Sequence, residues 1–231
     1  MSVWKNPSLV QVAFRMQFGH RLWYQSRAGD FQKEQSLKAQ AIALPREAGL
    51  KTYLLLVDSK MPSFGFGIAT DEIVAEESKY TDWAPFRRTL VGRLLGFDPE
   101  LSDVDVTFIG MSTTDRIPLY PRQDKILSLE KYVKLQLQGP GPIGGKPIEE
   151  VTWITDYQMS GPGDRLRIEV RSEQPDENGL EHLRIVTDRR ILGPSRVKVE
   201  DFLDSAHADL KNAFENLLTP STLERLKGDE E

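Results

Sequence analysis

The sequence predicts an α+β fold in which antiparallel sheet, in one or more pieces, packs against two long amphipathic helices. Several segments alternate apolar and polar residues with a period of two, the pattern of a half-buried strand. Two other segments place apolar residues at helical spacing. Residues 139–147 are rich in glycine and proline, which interrupt helices and strands alike.

The chain of 231 residues is short enough for one domain. We therefore expect a single α+β domain over residues 1–231, with two halves, 1–138 and 148–231, joined by the 139–147 loop. Each half has strands followed by a helix, which raises the hypothesis of a duplicated unit.

Alternation predicts the strands of the first half. Residues 10–18 show it most regularly, with apolar side chains at every even position. Residues 21–50 have a weaker pattern that Pro45 interrupts, and we expect a loop with some helix or strand there. Further strands are expected at residues 53–58, 64–69, 73–75 and 104–117.

In the second half, a strand is expected within 151–157 and an antiparallel hairpin over 164–189. The hairpin alternates leucine, isoleucine and valine with charged residues and has an Asn-Gly turn signal. Its charged face is expected to meet water.

Helical spacing of apolar residues predicts the two long helices. The first begins after Asp82, and the second carries an apolar stripe over residues 199–218. Pro220 should end the second helix. Ser221 and Glu224 have the spacing of a capping box and predict a short terminal helix.

Composition excludes several classes of site. The chain has no cysteine, which excludes disulfides, zinc–thiolate sites and iron–sulfur clusters and fits a cytoplasmic location. No apolar run approaches the length of a membrane span, so no membrane contact is expected. The formal net charge of −5 gives no support for nucleic-acid binding. We expect no cofactor.

Two spacings resemble motifs of enzymes, and both have simpler interpretations. The glycines of 139–144 match a dinucleotide fingerprint, but intervening prolines remove backbone donors and no helix follows. Asp58-Ser59-Lys60 has the acid-x-Lys spacing of some metal-dependent nucleases, but a polar hairpin turn is the favoured interpretation. The second acid that a nuclease needs would come from Glu47, Asp71 or Glu72.

Clustered charges are expected to be solvated. The acidic residues within 98–105 lack the glycine and terminal glutamate of a calcium loop. The arginines that form small basic patches are Arg87, Arg88, Arg93, Arg189 and Arg190.

His207 is the candidate ligand-binding residue. It lies inside the apolar stripe of the last long helix, between Leu203 and Leu210, with Asp204 and Lys211 one turn away. A structural histidine satisfied by a hydrogen bond is the favoured interpretation, and a functional imidazole is the alternative.

The sequence resembles a sporadically distributed family of uncharacterised prokaryotic proteins. The resemblance rests on the opening segment 6–14 (NPSLVQVAF), on Trp83-Ala84-Pro85-Phe86, on Arg116-Ile117 and on the closing segment 202–207 (FLDSAH). It spans nearly the whole chain, which implies one family unit. The patchy distribution of the family implies an accessory role, such as defence.

These observations favour a non-enzymatic protein-interaction or regulatory subunit, with a protein partner or self-association. One alternative is a small-ligand or nucleotide sensor with a pocket between sheet and helix. Another is a metal-dependent nuclease or other hydrolase.

Overall fold

The computed structural model describes most of the chain. The described residues are 8–46, 49–119, 131–134, 152–173, 175–177 and 180–227. The predicted loop at 139–147 lies outside them, as does Glu47.

The strands of the described residues form one sheet. They are β1 Leu9–Phe18, β2 Lys38–Arg46, β3 Gly49–Asp58, β4 Met61–Ile68, β5 Glu72–Glu77, β6 Asp103–Pro118, β7 Thr152–Gln158, β8 Asp164–Glu173 and β9 His182–Lys198. Their order is β2-β3-β4-β5-β1-β6-β9-β8-β7, and every neighbouring pair is antiparallel. The pairing of β6 with β9 joins strands from the two predicted halves of the chain into a single sheet.

Helices pack against one face of this sheet. Those of the described residues are α1 Tyr24–Glu34, α2 Trp83–Phe97, α3 Val199–Leu217 and α4 Pro220–Lys227, with a 3-10 helix at Pro99–Ser102. The two long helices that the sequence predicts correspond to α2 and α3, but α1 and α4 join them. Among the described helices, none is both long and apolar enough to cross a membrane. The duplicated unit stays a prediction.

Alternation along the strands explains why only one sheet face carries helices. In β1 the side chains of Val12, Phe14, Met16 and Phe18 are buried, while the residues between them are partly exposed. The buried set joins one apolar core that includes residues from α1, α2 and α3. A second core, at the β8 and β9 side, gathers Ile117, Val170, Leu183, Phe214 and Leu226 beneath the end of α3 and α4.

The predicted strands at 10–18 and 104–117 and the hairpin over 164–189 are confirmed by β1, β6 and the β8–β9 pair. Residues 21–50 are more ordered than the sequence indicated, since they contain α1 and β2. β2 continues through Pro45 because it is an edge strand, where a missing backbone N–H is tolerated.

The prediction of a capping box at Ser221 is wrong in position. α4 begins at Pro220, and the hydroxyl oxygen of Thr219 accepts a hydrogen bond from the backbone N–H of Thr222 at 3.4 Å. Thr219 therefore caps α4, and Pro220 occupies the first helical position, where its missing N–H costs nothing.

Candidate functional site

The sheet face opposite the helices forms an open groove. Its volume is about 1280 Å³, and it is lined by residues from seven strands, β1 to β6 and β9. In β1 the lining side chains are Ala13, Arg15 and Gln17, the positions that alternate with the buried core residues. The half of each strand that faces away from the helices thus forms a continuous surface, in which polar residues such as Gln17 and Ser112 stand beside apolar ones such as Leu55 and Val186.

Glycines on the floor of the groove make room for neighbouring side chains. Strand register sets Gly67 beside Val74, Val74 beside Arg15, and Arg15 beside Gly110. A Cβ atom at Gly67 would lie 2.7 Å from a methyl group of Val74, and one at Gly110 would lie 2.9 Å from the ring of Phe108. Neighbouring side chains therefore lie across both glycines, which accounts for glycine in the middle of these strands.

A buried carboxylate anchors the groove on the β5 side. Glu72 is 0% exposed, and its oxygens accept hydrogen bonds from Arg15 Nε at 2.6 Å, Gln17 Nε2 at 3.1 Å and Lys51 Nζ at 3.0 Å. Burial alone would raise the pKa of Glu72. The hydrogen bonds from Gln17, Lys51 and Tyr53 and the charge of Arg15 outweigh burial and lower the pKa to about 2. The ionised Glu72 thus fixes Arg15 at the edge of the groove.

Arg190 lies on the other side of Gly110 from Arg15, in the same row of the sheet. Its NH2 group is 3.3 Å from Asp156, and its NH1 group is 3.7 Å from Asp188. Its Nε atom is buried without a hydrogen-bond partner among the described residues. Burial raises the pKa of Asp188 despite the neighbouring charge of Arg190.

The structure places His207 on the helical side of the sheet, away from the groove. Its ring stacks on that of Trp83, with centroids 4.3 Å apart and planes inclined by 5°. Burial lowers the pKa of His207, and the charge of Lys211 lowers it further. Within the described part of the chain its Nε2 atom is buried and makes no hydrogen bond, so stacking takes the place of the expected hydrogen bond at that nitrogen. A ligand-binding role for His207 stays a prediction.

Asp58-Ser59-Lys60 forms a turn between β3 and β4. Asp58 Oδ1 accepts the backbone N–H of Lys60 at 2.8 Å, and its Oδ2 accepts a hydrogen bond from Arg93 on α2 at 2.9 Å. These bonds give the carboxylate a structural use at the turn and leave the nuclease hypothesis without a supporting contact. Across the described residues, no group of three or more acidic or histidine side chains is arranged to hold a metal ion.

The acidic segment 98–105 is paired with arginines. Asp98 accepts hydrogen bonds from Arg21 and Tyr24, each at 2.6 Å, and caps the 3-10 helix. Asp103 and Asp105 lie 3.0 and 3.3 Å from the guanidinium of Arg196. The expectation of a simply solvated acidic loop is therefore wrong for Asp98, which is buried.

Adjacent arginines on β9 have opposite environments because side chains alternate along a strand. Arg189 is 5% exposed and forms ion pairs with Asp164 and with Asp209 of α3. Arg190 points to the groove. The sequence placed both on a solvated face, and this is wrong for Arg189. On α2, Arg87 pairs with Asp204 at 2.7 Å and so ties α2 to α3.

Sequence reasoning did not single out Arg15 or Gly110, and it considered Glu72 only as the second acid of a nuclease, whereas the structure bonds Glu72 to Arg15, Gln17 and Lys51. One local signal was available, since Gly65 and Gly67 alternate with apolar residues in β4 and indicate a strand face without side chains. The meeting of Arg15, Glu72 and Gly110 depends on pairing between distant strands, which no local pattern reports.

Comparisons with known proteins give no relative to set beside these observations. The chain matches no protein-family model, and no significant match was found among curated proteins or solved structures.

Proposed function

We propose that this chain is a non-enzymatic binding subunit whose groove receives a segment of another protein. The observation that carries the proposal is the size of the groove. Its volume of about 1280 Å³ exceeds the roughly 300 to 1,000 Å³ of typical small-molecule pockets. It is also open, crossing seven strands.

The dimensions of the groove suit an extended polypeptide. Strands lie about 4.8 Å apart, so seven strands span roughly 29 Å. An extended chain advances about 3.3 Å per residue, which allows about eight or nine residues to cross the groove. Side chains and carbonyl groups of such a segment would meet a floor on which polar and apolar residues are mixed.

The charges of Glu72 and Lys51, at the β5 side of the groove, favour binding over proton transfer. The pKa of Glu72 is lowered to about 2. Burial lowers the pKa of Lys51, but hydrogen bonds to Asp71 and Glu72 outweigh it and raise that pKa overall. Both groups stay charged near neutral pH, whereas a general acid or base works best when its pKa lies near the working pH. They hold the shape of the surface.

A small-ligand sensor is the second candidate. Arg15 and Arg190 flank Gly110 in one row, with the ring of Phe108 lying across Gly110 between the two arginines. That arrangement favours a compact anion, such as the phosphates of a nucleotide. The row lies on the open face, so this candidate needs no pocket between sheet and helix.

Filling the groove tests the proposal. Ser112 lines the floor, and Ser112→Trp adds a large ring there without changing backbone freedom. Ser205 is exposed on α3, so Ser205→Trp makes the same substitution on the helical side. Each protein would be immobilised and exposed to a lysate of its host, and the retained proteins would be quantified by mass spectrometry.

We expect a partner that the wild type and Ser205→Trp retain and that Ser112→Trp loses, with melting temperatures equal within a few degrees. Equal retention of every partner by both variants would exclude the groove as the docking site. Stabilisation of the wild type by nucleotides, with no protein retained, would favour the sensor instead.

A further inference from the structure

Strand register places six arginine side chains on the groove side of β6, β9 and β8. Gly110 on the groove floor faces Arg190 across the β6–β9 pair, and Arg190 faces Arg165 across the β9–β8 pair. Every second residue from these positions shares the same face. The arginine face, as we call this set, consists of Arg116, Arg165, Arg167, Arg171, Arg184 and Arg190.

The arginine face is positive although the chain as a whole is negative. Four carboxylates lie on the same face. They are counted over the described parts of β7 and β8, of β6 beyond its bulge at Val106/Phe108, and of β9 up to Arg190. These are Asp156, Glu169, Glu173 and Asp188. Six arginines against four carboxylates leave an excess of two positive charges, in a chain whose formal net charge is −5. A local inversion of sign of this kind steers oppositely charged partners.

Several of these arginines lack close partners. Arg165 and Arg184 make no hydrogen bond or ion pair with any residue that the structure describes. Arg167 lies 3.9 Å from a carboxylate oxygen of Asp156 and 4.0 Å from one of Glu169, beyond hydrogen-bond distance. All three are only partly exposed.

Arg189 shows what a structural arginine on the same strand looks like. It turns to the helical side, is buried, and donates to Asp209 at 2.9 Å and to Asp164 at 2.9 Å. The fold therefore supplies acids for the arginine that it uses internally. Among the described residues it supplies fewer for those that face outward.

We propose that the arginine face binds a segment of a partner protein rich in aspartate and glutamate. The inference rests on the proposed function, because Arg190 belongs both to the groove lining and to the arginine face, and it names the chemistry of the segment bound there. Guanidinium groups bind carboxylates through paired hydrogen bonds.

The same surface is poorly suited to nucleic acid. The four carboxylates stand among the arginines and would repel a continuous line of phosphates. Single strands also bind through stacking on free aromatic rings. Phe108, on the groove side of β6, lies against Gly110, and the guanidinium of Arg15 lies over its ring at 4.9 Å. These contacts occupy the ring, which limits stacking of a base on it. An acidic peptide carries carboxylates with neutral residues between them and can avoid the acids of the face.

The test uses a fluorescein-labelled peptide of repeated Glu-Ser, with Lys-Ser and oligo-dT probes of the same length for comparison. Binding to the full chain is measured by fluorescence anisotropy at low and physiological salt. The variant is Arg165→Glu with Arg184→Glu, and the milder pair Arg165→Gln with Arg184→Gln guards against a folding defect. Arg88 is exposed on α2 and has no ion pair with a described residue, so Arg88→Glu is the matched control.

We expect the Glu-Ser peptide to bind more tightly than either other probe, and more weakly as salt rises. The double glutamate variant should lose affinity by about tenfold or more, the glutamine variant by less, and Arg88→Glu by under about twofold. Equal loss in Arg88→Glu, or tighter binding of oligo-dT than of the acidic peptide, would overturn the inference.

The inference and the proposed function can fail separately. If Ser112→Trp abolishes capture of a partner while the Glu-Ser peptide binds no form of the chain, the groove is a docking site but its ligand is not acidic. If the peptide binds and the arginine variants abolish binding while Ser112→Trp changes nothing in either assay, the arginine face stands and the groove proposal is wrong.

Discussion

Asp115 should make the stability of this chain fall as pH rises. Its side chain lies on the helical side of β6 with 4% of its surface exposed, and it accepts a hydrogen bond from Ser8 Oγ at 2.8 Å. Burial raises the pKa of Asp115 to about 7, while the bond from Ser8 lowers it by less. In the unfolded chain the pKa of an aspartate is about 3.9.

The expected effect follows from proton counting. Between about pH 4 and about pH 7 the folded chain retains a proton on Asp115 that the unfolded chain has released, so the free energy of unfolding decreases with pH over that interval. A difference of about three pH units, at about 1.4 kcal/mol each, gives a loss of at most about 4 kcal/mol. Below the interval both states are protonated, and above it both are ionised.

The substitution Asp115→Asn isolates this effect, because the amide oxygen can still accept from Ser8 and carries no charge. Urea unfolding of both proteins at several pH values gives the difference in free energy of unfolding. We expect a difference of under about 1 kcal/mol near pH 4 that grows in favour of the variant by about 4 kcal/mol at pH 8. A difference that stays constant over the range would refute the burial argument, since a charge-independent effect has no pH dependence.

Three further substitutions probe other parts of the fold. The pKa of Glu72 is about 2, below its ordinary 4.5, so its ionised form stabilises the fold above about pH 4.5, and this contribution is lost as pH falls toward 2. In a circular-dichroism titration, Glu72→Gln should lack the part of the loss of folded structure at low pH that comes from protonation of Glu72. Phe214 is 7% exposed in the second core, and Phe214→Ala should cost about 3 to 5 kcal/mol in urea unfolding, whereas a cost under about 1 would place the ring outside the core. Because the pKa of His207 is lowered, its contribution to stability should be lost as pH falls below about 6.5, opposite in sign to that of Asp115, while His207→Phe should keep the stack on Trp83 and lose this contribution. Identical melting profiles of both proteins at pH 5 and pH 8 would contradict the histidine argument.

Sequence patterns predicted the elements whose signal is local and strong. The alternation in β1 and the apolar stripe of α3 each extend over many residues and depend on side chains within one element. α1 gives a weaker signal, because only Tyr24, Ala28 and Phe31 are buried along its eleven residues. A stripe so thin does not distinguish a helix from a loop with scattered apolar residues.

The groove could not be predicted, because it is made by register between distant strands. Arg15, Gly110 and Arg190 are neighbours across β1, β6 and β9, yet long stretches of chain separate them. Register depends on how facing side chains pack and on the lengths of the connections, which are properties of the assembled sheet. The sequence showed that Arg15 and Arg190 are polar members of alternating strands but not that they share a row.

The interior position of β1 has a consequence for synthesis of the chain. Its two neighbours, β5 and β6, come later in the sequence, and β6 begins about 90 residues after β1. At about 5 to 20 residues per second, a ribosome would leave one or both edges of β1 without their native partners for roughly 5 to 20 s. During that time the buried face of β1 would lack native packing partners; its side chains are Val12, Phe14, Met16 and Phe18. The polar residues that alternate with them would limit pairing with other nascent chains; these are Gln11, Arg15 and Gln17. A nascent chain halted before residue 103 should therefore need a chaperone to stay dispersed.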